Sequence, residues 1–297
     1  MTAPGDPSRD ADARTLTCEA ARLLAAAGVP DPDRDAELLL LHVLGIERAA
    51  LHARPERVVP ADAAARYRDL VRRRAAREPL QHLTGVQEFW SLPFRVTPAV
   101  LIPRPESEGI LETLLALPLP RGPGRPRLLD LGTGSGCLAI AAAHAFPEAR
   151  VVATDVSEEA LEVARGNASA LGVAGRVRFA RGDLDAAIPA DAPARFDALL
   201  SNPPYIAAGD LAGLAPEVRD HEPRVALTPG PDALAVHRRI LAAAPDRLDP
   251  GGWLCVEIGA GQEAAIRALY AAQGRMRLDS IRPDLAGIPR VVVSRLG

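Results

Sequence analysis

The chain has 297 residues, a formal net charge of -3 and 48% hydrophobic residues. This length favours two domains, because a single core usually stops growing near about 250 residues. The slightly acidic balance gives no general attraction to phosphate backbones or anionic lipid, which disfavours a general nucleic-acid binder. No apolar stretch approaches the roughly 20 residues that a membrane helix needs. We therefore expect a globular protein of two domains.

The cysteines and the N-terminus bear on the compartment. Cys18, Cys137 and Cys255 lie far apart, and none belongs to a Cys-x-x-Cys or Cys/His pair. Neither a metal site nor a disulfide framework is predicted, and a reducing cytoplasm fits best. The first fifteen residues are polar and lack the apolar run of a signal peptide, so we expect them to form a frayed tail.

Residues 1–78 are predicted to form a small helical domain. Its three helices run from Thr17 to Gly28, from Asp31 to Gly45 and from about Pro60 to Arg77. A threonine cap, an Asp-Pro start and closing glycines mark the ends of the first two. The third helix carries apolar residues at helical spacing.

Six arginines crowd the second half of the third helix. They are Arg66, Arg68, Arg72, Arg73, Arg74 and Arg77. Such a face can bind an acidic partner. Alternatively it is a solvated face, because cations are favoured near a helix C-terminus. The sequence leaves both interpretations open.

The pattern changes twice after this domain. Residues 79–108 contain aromatics, prolines and β-branched residues without a helical period, which predicts a β-rich linker with a short hairpin. In residues 109–297, strand and helix patterns alternate, which predicts an α/β fold with a parallel sheet covered on both faces. The predicted strands lie near residues 127–131, 150–154, 176–180, 196–201, 252–258 and 289–294.

A glycine-rich loop follows the first of these strands. It consists of Gly132, Thr133, Gly134, Ser135 and Gly136, directly before an apolar helix. Glycines let the backbone turn tightly and approach a ligand at a helix N-terminus. Gly134, Gly136 and Ala139 also satisfy the GxGxxA form of the dinucleotide fingerprint, so a nicotinamide cofactor stays open at this point. A tight turn without a ligand is the structural alternative.

Two aspartates follow the next two strands. Asp155 ends the second strand, where a carboxylate can accept both hydroxyl protons of a ribose. Asp183 follows the third strand and is placed to meet an adenine edge, or else it caps the next turn. These positions suit either kind of nucleotide cofactor.

The most specific motif, Asn202-Pro203-Pro204-Tyr205, directly follows the fourth strand. A planar amide or amino nitrogen is a poor nucleophile because its lone pair is delocalised, so its position matters more than a nearby base. If the Asn202 side-chain oxygen and the Pro203 carbonyl each accept one N–H, the nitrogen is held facing a methyl sulfonium. Tyr205 can pack against the planar group and exclude water. The motif therefore predicts methylation of a planar nitrogen.

The order of these motifs resembles the class I methyltransferases that act on planar nitrogens. Residues 79–108, PLQHLTGVQEFWSLPFRVTPAVLIPRPESE, closely resemble the linker of the peptide chain release factor glutamine N5-methyltransferase family. The later Glu222-Pro223 and Ala226-Leu227 also fall where that family has them. The resemblance implies a doubly wound, Rossmann-like class I methyltransferase sheet in residues 109–297. It also implies that the N-terminal helical domain helps to recognise a protein substrate.

The same resemblance implies the activity. S-adenosylmethionine would be the cofactor, without a metal. The substrate would be the side-chain amide of the GGQ-motif glutamine in peptide chain release factors, with no direct nucleic-acid partner and no membrane. Residues 132–136 would bind the methionine end and backbone of the cofactor, Asp155 the ribose, and Asp183 with Leu184 the adenine. Asn202, Pro203, Pro204 and Tyr205 would bind the glutamine, with Asn202 also beside the cofactor.

Three residues of these motifs carry further expectations. Ser107 stands where the family usually has threonine, and we expect its hydroxyl to cap the helix that follows. Leu184 lies where some members place an aromatic residue. Arg104, between two prolines, is expected to anchor the linker through an ion pair.

Three other functions stay open from the sequence. An adenine-N6 nucleic-acid methyltransferase would use the same motif on a flipped base, although the acidic balance and the lack of a separate basic domain argue against it. A non-catalytic module that senses the cofactor and a nicotinamide reductase are the others. A binding titration that compares NADH with S-adenosylmethionine would distinguish a nicotinamide reductase from the functions that use S-adenosylmethionine.

Overall fold

A computed structural model describes residues 11–297, so most of the tail predicted for the first fifteen residues lies outside the described part. The α-helices are α1 (Ala13–Ala26), α2 (Pro32–Leu44), α3 (Arg48–Ala53), α4 (Ala61–Ala75), α5 (Leu80–Thr84), α6 (Glu108–Ala116), α7 (Cys137–Ala145), α8 (Glu158–Ala170), α9 (Pro216–His221), α10 (Arg224–Leu227), α11 (Ala235–Arg247) and α12 (Glu263–Gln273). The strands are β1 (Ala11–Asp12), β2 (Val58–Val59), β3 (Val86–Phe89), β4 (Leu92–Arg95), β5 (Arg127–Leu131), β6 (Arg150–Asp155), β7 (Val177–Arg181), β8 (Phe196–Ser201), β9 (Leu248–Glu257), β10 (Met276–Pro283) and β11 (Pro289–Leu296).

The described chain divides into two compact units. The helical unit contains residues 11–85 together with 216–221, and the sheet unit contains residues 86–215 and 222–297. The short segment 216–221, which comes after the Asn-Pro-Pro-Tyr motif in the chain, thus belongs to the helical unit. The hairpin of β3 and β4 belongs to the sheet unit.

The helical unit is held by the apolar faces of α1, α2 and α4. Leu24, Leu39 and Tyr67 are fully buried in its core, and the Tyr67 hydroxyl donates to the Ala36 carbonyl at 3.0 Å. The helix predicted to start at Asp31-Pro32 is confirmed, since α2 begins at Pro32 and ends before Gly45 in the left-handed conformation. That conformation favours glycine.

The predicted start of the first helix is wrong. The helix begins at Ala13, because the Asp12 carboxylate accepts the Thr15 N–H at 2.8 Å and caps it. Asp12 also ends β1, which pairs with β2. Thr17 lies one turn inside, where its hydroxyl donates to the Ala13 carbonyl at 3.0 Å. The capping residue is Asp12, five residues before the predicted cap Thr17, in a segment that the sequence pattern assigned to a tail.

The arginine-rich face of α4 is largely neutralised within its own unit. Arg74 is buried and its guanidinium contacts Asp35 at 2.7 Å and Glu217 at 2.9 Å. Arg77 contacts Glu217 at 2.7 Å. The remaining pairs are Arg66 with Asp62, Arg72 with Asp69 and Arg73 with Glu78. Within residues 11–297, Arg68 is the one arginine of the six without an ion-pair partner.

The sheet unit is built on seven strands in the order β10-β11-β9-β8-β5-β6-β7. The parallel arrangement predicted from sequence is confirmed for β9, β8, β5, β6 and β7. β11 runs antiparallel to β9 and β10 antiparallel to β11, so the sheet is mixed. β10 was missed because it is a half-buried edge strand in which polar and apolar residues are mixed.

Both faces of the sheet are covered, as predicted. Successive residues of β5 enter different cores, with Leu128 packed in one cluster and Leu129 in the other. This alternation is the two-residue period of a strand. Residues of α6 and α7 complete the first cluster, and residues of α11 and α12 complete the second. Strands buried on both faces explain the near-continuous apolar runs in the sequence.

The predicted hairpin is confirmed and packs into the first of these clusters. Phe89 and Phe94 are fully buried with their ring centroids 6.1 Å apart in an edge-to-face arrangement. Trp90 is partly buried beside them. No helix formed by residues 11–297 combines the length and apolar character needed to cross a bilayer.

Candidate active site

The candidate site lies where the strand order reverses. β5 pairs with β6 on one side and with β8 on the other. In an open α/β sheet a ligand crevice forms at such a point, beyond the carboxyl ends of the strands. A cavity of about 280 Å³ lies there. The predicted site residues that line it are Gly132, Thr133, Gly134, Ser135, Asp155, Asp183, Leu184, Asn202 and Pro204.

The glycine loop is fixed on its sheet side and open on its cavity side. The Gly132 and Thr133 N–H groups both donate to the Thr154 carbonyl at 2.9 Å. Gly132 and Gly134 have φ values of 73° and 55°, and a Cβ at either position would stand in open space. Bare backbone therefore borders the cavity, and a ligand can approach it closely.

Gly136 differs from the other loop residues because it does not line the cavity. A Cβ at this position would lie 2.9 Å from Ile140 Cδ1 and 3.1 Å from Ala164 Cβ. Such separations are too short for a carbon contact. Gly136 therefore allows α7 to lie close to α8.

The buried Asp130 carboxylate forms a hydrogen bond to the glycine loop. The Thr133 hydroxyl donates to Asp130 Oδ2 at 2.6 Å, and Asp130 is fully buried. Burial raises the pKa of Asp130 to about 7, although the Thr133 hydrogen bond opposes this shift. Burial also raises the pKa of the neighbouring Cys137 thiol to about 12, which keeps it neutral and suits a packing role.

Asp155 connects the loop to the following helix. Its Oδ2 accepts the Gly134 N–H and its Oδ1 accepts the Ser157 N–H, both at 2.9 Å. Each carboxylate oxygen keeps a second lone pair. Asp155 lines the cavity, so it can still accept hydrogen bonds from a ligand.

Asp183 and Leu184 border the cavity from the end of β7. The Asp183 carboxylate is more than half exposed and contacts the Arg239 guanidinium at 2.6 Å. Arg239 itself lines the cavity. Leu184 has a φ of 51°, which is uncommon for a residue with a side chain. Leu184 therefore presents an aliphatic surface, rather than an aromatic one, at this wall.

Asn202 is oriented by residues from two other elements. Its Nδ2 donates to the Ser107 hydroxyl oxygen at 2.8 Å. The Ser107 hydroxyl in turn donates to Glu257 Oε2 at 2.5 Å. No residue within 11–297 donates a hydrogen bond to Asn202 Oδ1 or to the Pro203 carbonyl. Both oxygens are thus available as acceptors.

Tyr205 lies beside the cavity rather than in its lining. Its hydroxyl donates to Glu257 Oε1 at 3.1 Å, and Gln262 Nε2 donates to its carbonyl at 2.9 Å. A Cβ on Gly259 would lie 3.0 Å from the Tyr205 ring. Burial raises the pKa of Tyr205 and the Glu257 charge adds to the effect, so the phenol stays protonated. Pro203 is buried and also does not line the cavity.

The structure confirms one expectation for the linker and corrects another. Arg104 forms the expected ion pair, with its guanidinium 2.6 Å from Glu222. Ser107 does not cap α6, since its side chain makes no capping hydrogen bond. The Ser107 hydroxyl instead donates its hydrogen to Glu257, and its oxygen accepts from Asn202 Nδ2 rather than from a backbone N–H of α6.

The sequence analysis missed two polar residues of the site. Glu257 is 1% exposed at the carboxyl end of β9, and burial raises its pKa although hydrogen bonds from Ser107 and Tyr205 favour the charged form. A lone acidic residue after an apolar strand was the available signal, because strand ends face the crevice. Arg239, on α11, had no such signal.

The residues present fit S-adenosylmethionine. The bare backbone at Gly132 and Gly134 leaves space that any side chain would fill. Asp155 retains acceptor capacity for ribose hydroxyls, and the exposed Val156 side chain adds an apolar wall. The cavity is lined by two carboxylates, Asp155 and Asp183, and the described part of the chain contains no cluster of metal-binding groups.

The fold and this site define a class I S-adenosylmethionine-dependent methyltransferase. Residues 111–215 match the family model described as a methyltransferase small domain, and residues 7–85 match the PrmC N-terminal domain. A methyltransferase from Pyrococcus furiosus is similar in fold, with a TM-score of 0.50, 23% identity, and coverage of 69% of this chain and 89% of that one.

Curated relatives identify the family more closely. The release factor glutamine methyltransferase of Cereibacter sphaeroides is 46% identical over 273 residues, which cover 92% of this chain and 94% of that protein. The enzyme of the same name from Moorella thermoacetica is 46% identical over 272 residues, with coverage of 92% and 94%. The chain belongs to the release factor glutamine methyltransferase family.

Proposed function

We propose that this enzyme transfers a methyl group to the side-chain amide nitrogen of the GGQ-motif glutamine in peptide chain release factors. The single observation that carries the proposal is the orientation of Asn202. Its nitrogen is held by Ser107, which leaves Oδ1 as a free acceptor beside the cavity. An amide N–H is the complementary donor. The names of the relatives supply the release factor as the protein substrate.

The cofactor site is assigned residue by residue in this proposal. Residues 132–136 form the loop at the methionine end, with Gly136 acting through helix packing. Asp155 accepts the ribose hydroxyls. Asp183 and Leu184 border the adenine, and Asn202 stands between the cofactor and the glutamine. S-adenosylmethionine supplies an electrophilic methyl group when it is bound.

The remaining residues hold and shield the glutamine. Asn202 Oδ1 and the Pro203 carbonyl accept the two amide hydrogens, which turns a face of the nitrogen toward the methyl donor. Pro203 and Pro204 restrict the backbone that carries this carbonyl. Tyr205, fixed through Glu257 and Gln262, forms a rigid wall beside them.

The helical unit is assigned to recognition of the release factor. A glutamine amide is too small a group to select one protein among many, so selection needs a second contact. The helical unit has its own core and lies outside the sheet that carries the cavity. It is therefore the candidate for this contact.

The proposed function is tested with purified release factor, enzyme and labelled S-adenosylmethionine. Peptide mass mapping should place the label on the glutamine of the GGQ motif. A release factor with that glutamine replaced by alanine should accept none. Label on another residue, or on an RNA or DNA added in a parallel reaction instead of the factor, would overturn the proposal.

A further inference from the structure

We propose that Ser107 and Glu257 are positioning residues for methyl transfer, which fix the side-chain amide of Asn202 in the one orientation that presents its oxygen to the substrate. The inference rests on the proposed clamping of a glutamine amide by Asn202. Neither Ser107 nor Glu257 needs to touch the substrate.

The direction of the hydrogen bonds follows from counting hydrogens. Both oxygens of Glu257 accept a hydrogen, one from Ser107 and one from Tyr205, and a serine hydroxyl has one hydrogen to give. Ser107 donates that hydrogen to Glu257 at 2.5 Å, in a geometry short enough for a charge-assisted bond. The Ser107 oxygen can then only accept from its other neighbour, Asn202, at 2.8 Å.

The flipped orientation of Asn202 is disfavoured for the same reason. It would bring Oδ1 toward the Ser107 oxygen, so two acceptors would face each other without a hydrogen between them. It would also present NH₂ to the N–H groups of a substrate amide. Since the site is buried at Ser107 and Glu257, 2% and 1% exposed, water cannot easily relieve this conflict.

The Glu257 carboxylate is held by a second hydrogen bond, at the oxygen that does not bind Ser107. Tyr205 donates to Glu257 Oε1 at 3.1 Å, so its two oxygens receive hydrogens from two different elements. Glu257 ends β9, directly after Val256, which pairs with Ser201 at the end of β8. The adjacent strands thus place Glu257 beside the start of the Asn-Pro-Pro-Tyr motif. The Glu257 carboxylate thus binds Tyr205 directly and Asn202 through Ser107, which are the two polar side chains of the motif.

Three substitutions and one control substitution test this arrangement with release factor as substrate. Ser107→Ala removes the connection, and Glu257→Gln replaces an acceptor-only group by one with its own hydrogens. Both should lower kcat about 10- to 100-fold and leave the dissociation constant of S-adenosylmethionine unchanged. Ser107→Thr keeps the hydroxyl, so its kcat should stay close to that of the wild type. Ser294→Ala removes another fully buried serine hydroxyl, which contacts Tyr270 outside this network, and should leave kcat unchanged.

A double substitution separates positioning from a general structural role. Because Ser107 acts through Asn202, Ser107→Ala should cause no further loss of kcat in an Asn202→Ala background. An additive loss, or a wild-type kcat for both Ser107→Ala and Glu257→Gln, would overturn the inference. If Ser107→Ala does not fold, the Glu257→Gln measurement decides. Label that never reaches glutamine in the wild-type enzyme would instead reject the proposed function.

Discussion

The Asp155 carboxylate accepts the Gly134 N–H at 2.9 Å, so the residue proposed to hold the ribose also holds the glycine loop. We expect Asp155→Ala to weaken S-adenosylmethionine binding by about 1.5 to 3 kcal/mol, because ribose hydroxyls lose a charged acceptor. Asp155→Asn keeps one acceptor oxygen and the shape, and should lose less. Calorimetry measures both. An unchanged affinity in Asp155→Ala would remove this residue from the site.

Asn202→Ala should separate binding of the cofactor from catalysis. We expect methyl transfer to fall at least about a hundredfold, because an orienting hydrogen bond to the amide is lost. S-adenosylmethionine affinity should stay nearly intact, since the proposed cofactor contacts are mainly those of the glycine loop and Asp155. Single-turnover rates and calorimetry on the same preparation provide the comparison. A normal rate in this variant would exclude the amide clamp.

Most of the sheet could be predicted from the sequence, for a physical reason. β5, β6, β8 and the second half of β9 are almost wholly buried, so their sequences are mostly apolar, with Asp130 and Asp197 among the buried exceptions. β10 lacks this pattern because it lies at the sheet edge and is only half-buried. Its polar sequence resembles a loop.

The site was predictable where a single segment carries it. The glycine loop, Asp155 and Asn202 each lie at the end of a strand, and apart from Gly136 the structure places them on the cavity. The relationship between Ser107, Asn202 and Glu257 was not predictable, because these residues are separated by 95 and 150 positions. The pairing of β8 with β9 brings Asn202 close to Glu257, and Ser107 reaches both from the segment that precedes α6.

The buried His237 should make stability depend on pH. Burial lowers its pKa to about 4, with a smaller contribution from Arg238, whereas an unfolded histidine titrates near about 6.5. Between these values the unfolded chain binds a proton that the folded chain does not. The stabilisation is complete above about pH 6.5 and is lost as the pH falls to about 4, at up to about 1.4 kcal/mol per pH unit.

This dependence can be assigned to one side chain. His237→Gln should flatten the fall in unfolding free energy between about pH 6.5 and 4.5, measured by urea denaturation. The same change at His144, which is exposed on α7, should leave the slope as it is in the wild type. Equal slopes in the wild type and His237→Gln would show that other groups control the acid sensitivity.

Deleting the helical unit is a poor test of its role in substrate selection, because the deletion also disturbs folding. Deleting residues 1–77 should raise KM for intact release factor and spare cofactor binding. The deletion, however, also leaves Glu217 without Arg74 and Arg77. Burial opposes ionisation of Glu217, but hydrogen bonds from Arg77 and Arg74 outweigh it and lower its pKa to about 2. An unpaired Glu217 would therefore disturb the segment 216–221, and the result would mix folding with recognition.

Point substitutions on the surface of this unit avoid that problem. Because the arginines of α4 are mostly paired internally, exposed apolar side chains and the unpaired Arg68 are candidates to bind a protein. Leu23 and Val58 are 47% and 62% exposed. We expect Leu23→Ser, Val58→Ser or Arg68→Glu to raise KM for the intact factor severalfold, since interface energy concentrates in a few side chains. A short glutamine peptide, which lacks the rest of the release factor, should be methylated with unchanged kinetics. If no variant discriminates between the intact factor and the peptide, the helical unit is not the element that selects the substrate.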